Sequence, residues 1–340
     1  MKTDENGNPM WARTYGGSQA DEARAVRETS DGGYILAGYT DSFGDPRDVY
    51  LVKTDADGGV LWSGTYGGEG VDVAVDVQET ADGGYVLAGY TRSFGAVDFD
   101  MYVVKTDNQG NLEWSSTFGG TGWDEAVAIQ ETSDGGFIVV GEYDIPRSVT
   151  GYLCDVYLVK TDEQGNLVWE KTFEGSRYKR MCGVEETSDG GYFLAGTHGS
   201  PEGLTSVVYL LKTDADGNLD WEKALEDVQD PSIMMYAMCS TSDGGYVVVG
   251  SQLRHGPLWL WLPNFARDIV AAKITEDGDL VWRKTIGSRN ADETASSVLQ
   301  TDDGGYLLAG TVANVVPGFQ GLYFPSDAYV VQLDSDGNPL

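Results

Sequence analysis

A stretch of nine residues, Ser30-Asp31-Gly32-Gly33-Tyr34-Ile35-Leu36-Ala37-Gly38, returns with small changes along the whole chain and limits what that chain can fold into. Asp-Gly-Gly-aromatic recurs at Asp82, Asp134, Asp189, Asp243 and Asp303, at intervals of 51 to 60 residues. A period of this length that runs from end to end signals one supersecondary unit repeated, because a single unit cannot bury its apolar face alone. The sequence therefore predicts one domain over residues 1–340 rather than several unrelated ones.

Each unit reads as four short strands. In the first, Asp21 to Thr29 is strand A, Tyr34 to Thr40 strand B, Val49 to Thr54 strand C and Val60 to Tyr66 strand D. Period-two alternation, β-branched and aromatic enrichment and Gly/Asp punctuation favour strands, and no stretch has helical periodicity. Strands A and B are joined by Asp-Gly-Gly, whose glycines can take the positive φ of a tight hairpin. Strands C and D are joined by Asp-x-x-Gly turns, as at Asp55 to Gly59, Asp107 to Asn111 and Asp162 to Asn166.

Four antiparallel strands repeated six times predict an all-β fold, a six-bladed β-propeller. The blades fall at about 18–66, 69–118, 121–173, 176–225, 229–286 and 289–334. The last lacks a strand D, and Pro9 to Tyr15 at the N-terminus has that strand's sequence, so residues 9–16 are expected to complete it and close the ring. One tryptophan per strand D, at Trp11, Trp62, Trp114, Trp169, Trp221 and Trp282, is expected in the core between neighbouring blades. Residues 1–11 begin in mid-repeat, which suggests a piece of a longer protein.

The segment Asp155-Val156-Tyr157-Leu158-Val159-Lys160-Thr161-Asp162-Glu163-Gln164-Gly165-Asn166-Leu167-Val168-Trp169 resembles the strand–turn–Trp repeat of PQQ-type quinoprotein propellers. The whole unit, with its Thr-Tyr-Gly-Gly and Asp-Gly-Gly-Tyr signatures, more closely resembles the propeller repeats of largely uncharacterised secreted or surface-anchored bacterial and archaeal proteins. That resemblance covers almost the whole chain and implies an extracellular or cell-surface setting. The quinoprotein likeness implies no cofactor, since those enzymes use eight blades and their cofactor and metal residues have no counterparts here.

With 54 acidic against 22 basic residues, the net charge of −32 repels phosphate backbones and anionic lipid surfaces, so nucleic acid is not an expected partner. No apolar run approaches the ~20 residues that a membrane-crossing helix needs, and membrane insertion is not expected. Cys154, Cys182 and Cys239 are odd in number and fall at non-equivalent repeat positions, so they form no disulfide framework. A monomer is expected.

Variation from repeat to repeat falls on the D–A and B–C connections, which share one face of the disc, and that face is where a ligand site is expected. The long B–C loops of blades 5 and 6 carry Trp259, Trp261, Phe265, Phe319, Tyr323 and Phe324, rings on which a sugar or an extended peptide could stack. Blade 4 departs from the Asp-Glu-Ala start of its neighbours with a basic run. Arg177, Lys179 and Arg180, together with His198 and His255, are candidates for an anion- or carboxylate-binding pocket over blades 4 and 5.

Acidic residues open most A strands (Asp21, Asp72, Asp124, Asp292) and most C strands (Asp48, Asp100, Asp155, Asp268, Asp327). Such a ring could hold Ca²⁺, although a residue present in nearly every blade suits a local backbone contact better. Catalytic residues are not identifiable: there is no Gly-x-Ser-x-Gly elbow, phosphate loop or metal-type histidine spacing. The expected function is a non-catalytic recognition module for a glycan, peptide or protein. A hydrolase (esterase, lactonase or glycosidase) working at the central channel, and a structural module of a larger surface protein, are the alternatives.

Overall fold

The structure, a computed structural model, describes every residue except 5–6, 45, 144–153, 175–178, 200–205, 226–232, 255–265, 289–290 and 315–325. The described residues form strands and no helix. At the N-terminus β1 (Lys2–Thr3) pairs with β2 (Pro9–Trp11). Blade 1 is β3 (Asp21–Glu28), β4 (Tyr34–Thr40), β5 (Asp48–Thr54) and β6 (Val60–Tyr66). Blade 2 is β7 (Asp72–Glu79), β8 (Tyr85–Thr91), β9 (Asp100–Thr106) and β10 (Leu112–Phe118). Blade 3 is β11 (Glu125–Glu131), β12 (Phe137–Tyr143), β13 (Asp155–Thr161) and β14 (Leu167–Phe173). Blade 4 is β15 (Lys179–Glu186), β16 (Tyr192–Gly199), β17 (Ser206–Thr213) and β18 (Leu219–Leu225). Blade 5 is β19 (Ile233–Ser240), β20 (Tyr246–Leu253), β21 (Arg267–Ile274) and β22 (Leu280–Ile286), and blade 6 is β23 (Ala291–Gln300), β24 (Tyr306–Asn314) and β25 (Asp327–Leu333).

Within every sheet the strands pair antiparallel in chain order, so the fold is the all-β, six-bladed propeller expected from the repeats. The blades fall into two compact units, Met1–Glu174 and Gly175–Leu340, with three blades in each. Inside each unit the first strands of successive blades lie side by side, β3 with β7 and β11, β15 with β19 and β23. First strands are therefore innermost, and the fourth strands form the exposed outer edge.

One pairing differs from the expectation. The strand predicted to complete blade 6, β2, pairs with β1, Lys2 opposite Trp11, while blade 6 is described with three strands and an isolated bridge from Leu333 to Pro339. The reason is local. The N-terminus carries the end of a strand C and its Asp-x-x-Gly-Asn turn as well as strand D. The Asp4 amide donates to the Asn8 carbonyl at 2.9 Å and the Asn8 amide to the Asp4 carboxylate at 2.8 Å, which closes a hairpin of its own.

The recurring glycine at the end of Ala-Gly answers to a feature that all six blades share. Strand A carries a β-bulge at one register, so that Ala23 and Ala25 oppose Gly38 and Ala37 and Arg24 is the extra residue. Val75, Val127, Cys182, Tyr236 and Ser296 hold the same place in blades 2 to 6. The bulge drives a strand-A carbonyl into strand B. A Cβ on Gly38 would stand 1.9 Å from the Glu22 oxygen, and one on Gly89 1.8 Å from that of Val73. Only glycine fits there.

The Asp of Asp-Gly-Gly has a second role besides its turn. Lys53, on strand C, places its ammonium 2.9 Å from both carboxylate oxygens of Asp31 and 3.0 Å from the Thr54 carbonyl, with a side chain only 4% exposed. Lys105–Asp82, Lys160–Asp134, Lys212–Asp189 and Lys273–Asp243 repeat the pair in blades 2 to 5. In blade 6 Gln332 takes the lysine's place.

The tryptophans sit between neighbouring repeats as expected, at the rim of the core and not in its centre: Trp62, Trp114, Trp221 and Trp282 pack against the core clusters, and Trp62 and Trp114 meet the buried rings of Tyr85 and Phe137 at 5.7 Å. All six are half-buried, and within the units they lie over the C–D turn of the next repeat: Trp11 over Gly58, Trp62 over Gly110, Trp114 over Gly165, Trp221 over Gly278, Trp282 over Gly337. Trp62 and Trp114 also donate their indole N–H to the turn carbonyls of Asn108 and Glu163, at 3.2 and 3.1 Å. In these two blades the polar edge of the indole finds its partner at the neighbouring turn. The core itself is aliphatic and tyrosine-rich, from strands B and C: Ile35, Leu51, Leu87, Tyr102, Tyr157 and Tyr209 are all buried.

Candidate functional site

Of the residues singled out from the sequence, Trp259, Trp261, Phe265, Phe319, Tyr323, Phe324, Arg177 and His255 lie outside the described residues. Lys179, Arg180 and His198 are described. Lys179 opens β15 directly opposite His198 on β16, at the position where blades 1 to 3 have Asp21, Asp72 and Asp124. Its side chain is buried, with the ammonium 5.0 Å from the centre of the Tyr209 ring and 3.5 Å from Glu222 Oε2. Tyr209 donates its hydroxyl to the same carboxylate, and the His198 ring lies 5.3 Å from that of Tyr209. The Tyr209 hydrogen bond first, and then the Lys179 charge, hold the Glu222 carboxyl below its ordinary range against the effect of burial. Arg180, the next residue along the strand, is exposed and opposes Thr197. The blade thus brings Lys179 and His198 together and turns Arg180 to its other face. The cation here is matched by an acid of its own sheet.

The carboxylates that open the A strands satisfy local donors in blades 1 to 3. Asp21 accepts from the Gly17 amide and Ser42 hydroxyl, each at 2.8 Å, and from Thr40; Asp72 does the same with Gly68, Ser93 and Thr91. Asp124 accepts from the Gly120 amide at 2.6 Å. In blade 6 the equivalent residue is Glu293, not Asp292, because β23 starts earlier than the repeat suggests: Glu293 opposes Val312 as Asp21 opposes Thr40. Asp292 instead accepts the Arg267 amide at 2.7 Å. Among the described residues no group of three or more His, Cys, Asp or Glu side chains is placed to hold a metal ion.

One acidic pair is different. Asp100 opens strand C of blade 2, its Oδ1 is buried and accepts no hydrogen bond among the described residues, and burial and then the Asp124 carboxylate push its carboxyl above the usual range. Replacing it by Asn is expected to raise the melting temperature at pH 7, since the repulsion from Asp124 goes with the charge. Thermal unfolding of Asp100→Asn beside the native chain at pH 7 checks this.

A concavity in the first unit lies on the D–A and B–C face of blade 2. It has a volume of about 490 Å³ and is lined by the D–A turn (Gly68, Glu69, Gly70) and the B–C loop (Arg92 to Ala96). Phe94 stands in this wall 57% exposed, beside Val97 at 72%, and Phe43 occupies the same Ser-Phe-Gly position in blade 1 at 54%. Phe94 is also the one described non-glycine residue with a positive φ, +55°. An L-residue held left-handed costs on the order of 1–2 kcal/mol. In this conformation one side of the ring packs 5.4 Å from the buried Tyr102 ring and the rest faces solvent.

On the inner side of this face, aromatic rings and guanidinium groups alternate across blades 1 to 3. Arg47 lies 3.9 Å from the Tyr39 ring centre, Arg24 sits 5.6 and 5.9 Å from the rings of Tyr39 and Tyr90, and Phe99 links Tyr90 at 5.2 Å to Trp123 at 4.7 Å. Glu22 and Glu125, equivalent residues on β3 and β11, each accept a hydrogen bond from an aromatic donor: Tyr39 hydroxyl to Glu22 at 3.2 Å, Trp123 indole to Glu125 at 3.1 Å. Arg47 is held bidentately by Asp41 at 2.7 and 2.9 Å, and Arg92 by Asp98 at 3.2 Å. The sequence pattern passes over this arc because its loops are short. The signal was present in the two Ser-Phe-Gly loops and in the strand-B glycine that implies a bulge at Arg24.

No family model matches the chain. The regulatory protein FlaEY of Caulobacter vibrioides is 28% identical over 169 residues, 42% of this chain and 18% of that protein, so the chain spans less than a fifth of this relative's length. Among solved structures, a protein of unknown function from Dyadobacter fermentans superposes with a TM-score of 0.54 at 14% identity, covering 91% of this chain and 94% of its own. Puromycin hydrolase superposes with a TM-score of 0.52 at 15% identity, covering 93% of this chain and 44% of its own. At these identities the likeness is one of fold.

Proposed function

We propose that the chain is a recognition propeller of the secreted or surface type, which binds a glycan, peptide or protein through its D–A and B–C loops. The observation that carries this reading is Phe94: an exposed ring, kept in a strained backbone conformation at the wall of a 490 Å³ concavity. Strain of this kind persists where the surrounding structure over-determines it, and it gathers at ligand clamps and active sites. A panel of neutral oligosaccharides and extended peptides tests it by calorimetry. Phe94→Ala is expected to weaken binding of the recognised probe tenfold or more, about 1.4 kcal/mol, while stability falls by no more than about 1 kcal/mol, because the ring is 57% exposed and its contact to Tyr102 is one-sided. Binding that survives in both Phe94→Ala and Phe43→Ala would move the site off this face.

A second reading has its own observation. Asp100 beside Asp124 is a carboxyl held protonated more readily than usual, which is what a hydrolase needs of a general acid. Turnover of chromogenic esters or glycosides that disappears in Asp100→Asn would favour a hydrolase over a binding module.

A further inference from the structure

We propose that the bulged residue Arg24 and its neighbour Glu22 form a subsite for a neutral saccharide, read through a pair of adjacent hydroxyls and stacked on Tyr90. The inference rests on the recognition reading above and adds a ligand class and a second position to it.

The geometry starts from the bulge. As the extra residue of β3, Arg24 is turned out of the regular alternation, and its side chain is one-third exposed on an innermost strand. Its Nε donates to Glu22 Oε1 at 3.1 Å and its Nη1 reaches the Tyr90 hydroxyl at 3.4 Å. The other terminal nitrogen, Nη2, makes no hydrogen bond among the described residues, and Glu22, half exposed, keeps acceptor capacity beyond the Tyr39 and Arg24 contacts. A planar donor thus stands beside a planar acceptor, next to the half-buried ring of Tyr90. Vicinal hydroxyls of a pyranose can accept from the first and donate to the second while the apolar face of the sugar covers the ring.

Charge decides between neutral and anionic sugars. Arg24 is balanced by Glu22, Arg47 by Asp41 and Arg92 by Asp98, so the arc has no surplus cation, while the chain around it carries a net −32. An anionic ligand would meet repulsion without a free counter-charge. A peptide could stack on Tyr90, but it offers few groups that both donate and accept at one carbon spacing.

The other five bulges carry Val75, Val127, Cys182, Tyr236 and Ser296, so only blade 1 presents a charged group at this register.

The test is calorimetric titration of the whole chain with neutral cello-, xylo-, manno- and galacto-oligosaccharides at up to about 10 mM, which reaches past a millimolar Kd. Tetragalacturonate serves as the anionic control and an alanine-rich peptide as the peptide control. At least one neutral probe should bind, and Arg24→Met and Glu22→Gln should each weaken it tenfold or more, with Arg24→Lys recovering part of the loss. Circular dichroism and the melting temperature of each variant establish that it is folded. No binding by any neutral probe, tighter binding of tetragalacturonate or the peptide, or neutral-probe binding that is indifferent to Arg24→Met and Glu22→Gln would each overturn the proposal. A probe that needs Phe94 but not Arg24 would overturn this subsite and leave the recognition reading standing.

Discussion

Gly89→Ala is expected to lower the stability of the chain by at least about 3 kcal/mol, or to prevent folding, although it adds a single methyl group. The new Cβ would stand 1.8 Å from the Val73 carbonyl oxygen and 2.8 Å from the Ala74 Cα, both backbone atoms, so no side chain can turn aside to make room. Relief would require straightening the bulge, and with it the register of β7 on β8. Gly83→Ala, six residues earlier in the same motif, provides the contrast. Gly83 has a φ of +83° and open space around it, so the substitution costs only the left-handed backbone penalty, about 1–2 kcal/mol. Urea unfolding of the two variants beside the native chain separates the two reasons for a glycine. Equal effects would mean that the bulge yields more readily than its packing implies.

The second large effect is expected at the buried lysines. Asp31→Ala leaves the Lys53 ammonium, 4% exposed, with only the Thr54 carbonyl as partner, and should cost about 2 kcal/mol after allowance for the exposure of the aspartate. The double variant Asp31→Ala/Lys53→Met should return to within about 1 kcal/mol of the native chain, because the aliphatic stem remains and the stranded charge is gone. Acid unfolding reads the same pairs collectively. At Asp189 and Asp243 the lysine hydrogen bond is the leading cause of a carboxyl held down to about 2. At Asp82 and Asp134 burial acts upwards but is outweighed by lysine and threonine donors, again giving about 2. An unfolded aspartate titrates near about 3.9, so the folded values lie below the unfolded ones. The stability these groups lend is therefore complete above about pH 4 and is lost as the pH falls from there towards about 2. Melting temperatures measured across that window should drop steeply, and a chain with Lys105→Met and Lys160→Met should show a shallower fall.

Much of the architecture was legible in the sequence, and the reason is physical. Strand, hairpin and repeat all depend on local patterning, so Asp-Gly-Gly, the Asp-x-x-Gly turns and period-two alternation give the blades and their order before any long-range contact is known. What the pattern could not convey is the depth of each side chain. Trp62 and Trp114 do pack on the core, against Tyr85 and Phe137, but they stop half-buried at its rim, where the indole N–H reaches a carbonyl of the neighbouring turn. Register was legible only to within a residue at blade 6, where β23 begins early and Glu293 takes the place expected of Asp292. The N-terminal hairpin was misread for a different reason: a strand-D sequence says what a segment can pair with, not which copy of strand C it will find first.

The candidate site was less legible. The longest and most aromatic loops point to residues 255–265 and 315–325, while the strained Phe94 and the arc from Tyr39 to Trp123 sit in short, regular-looking connections. Their significance comes from contacts between residues far apart in sequence, such as Arg24 with Tyr90, which periodicity does not reveal. Within the basic run of blade 4, Lys179 has a partner that the local sequence does not show, Glu222 on the far strand of the same sheet.

The strand-A bulge has a consequence for how such a chain can change over time. In every blade a glycine receives the displaced carbonyl, and the extra residue has no cross-strand partner, so its side chain is free of the pairing that constrains its neighbours. Arginine, valine, cysteine, tyrosine and serine all occupy it, from the buried Cys182 to the exposed Tyr236, without altering the blade beneath. Where that position faces solvent it amounts to an interchangeable fitting on a common mount, at which one substitution can alter what is bound while folding is left alone.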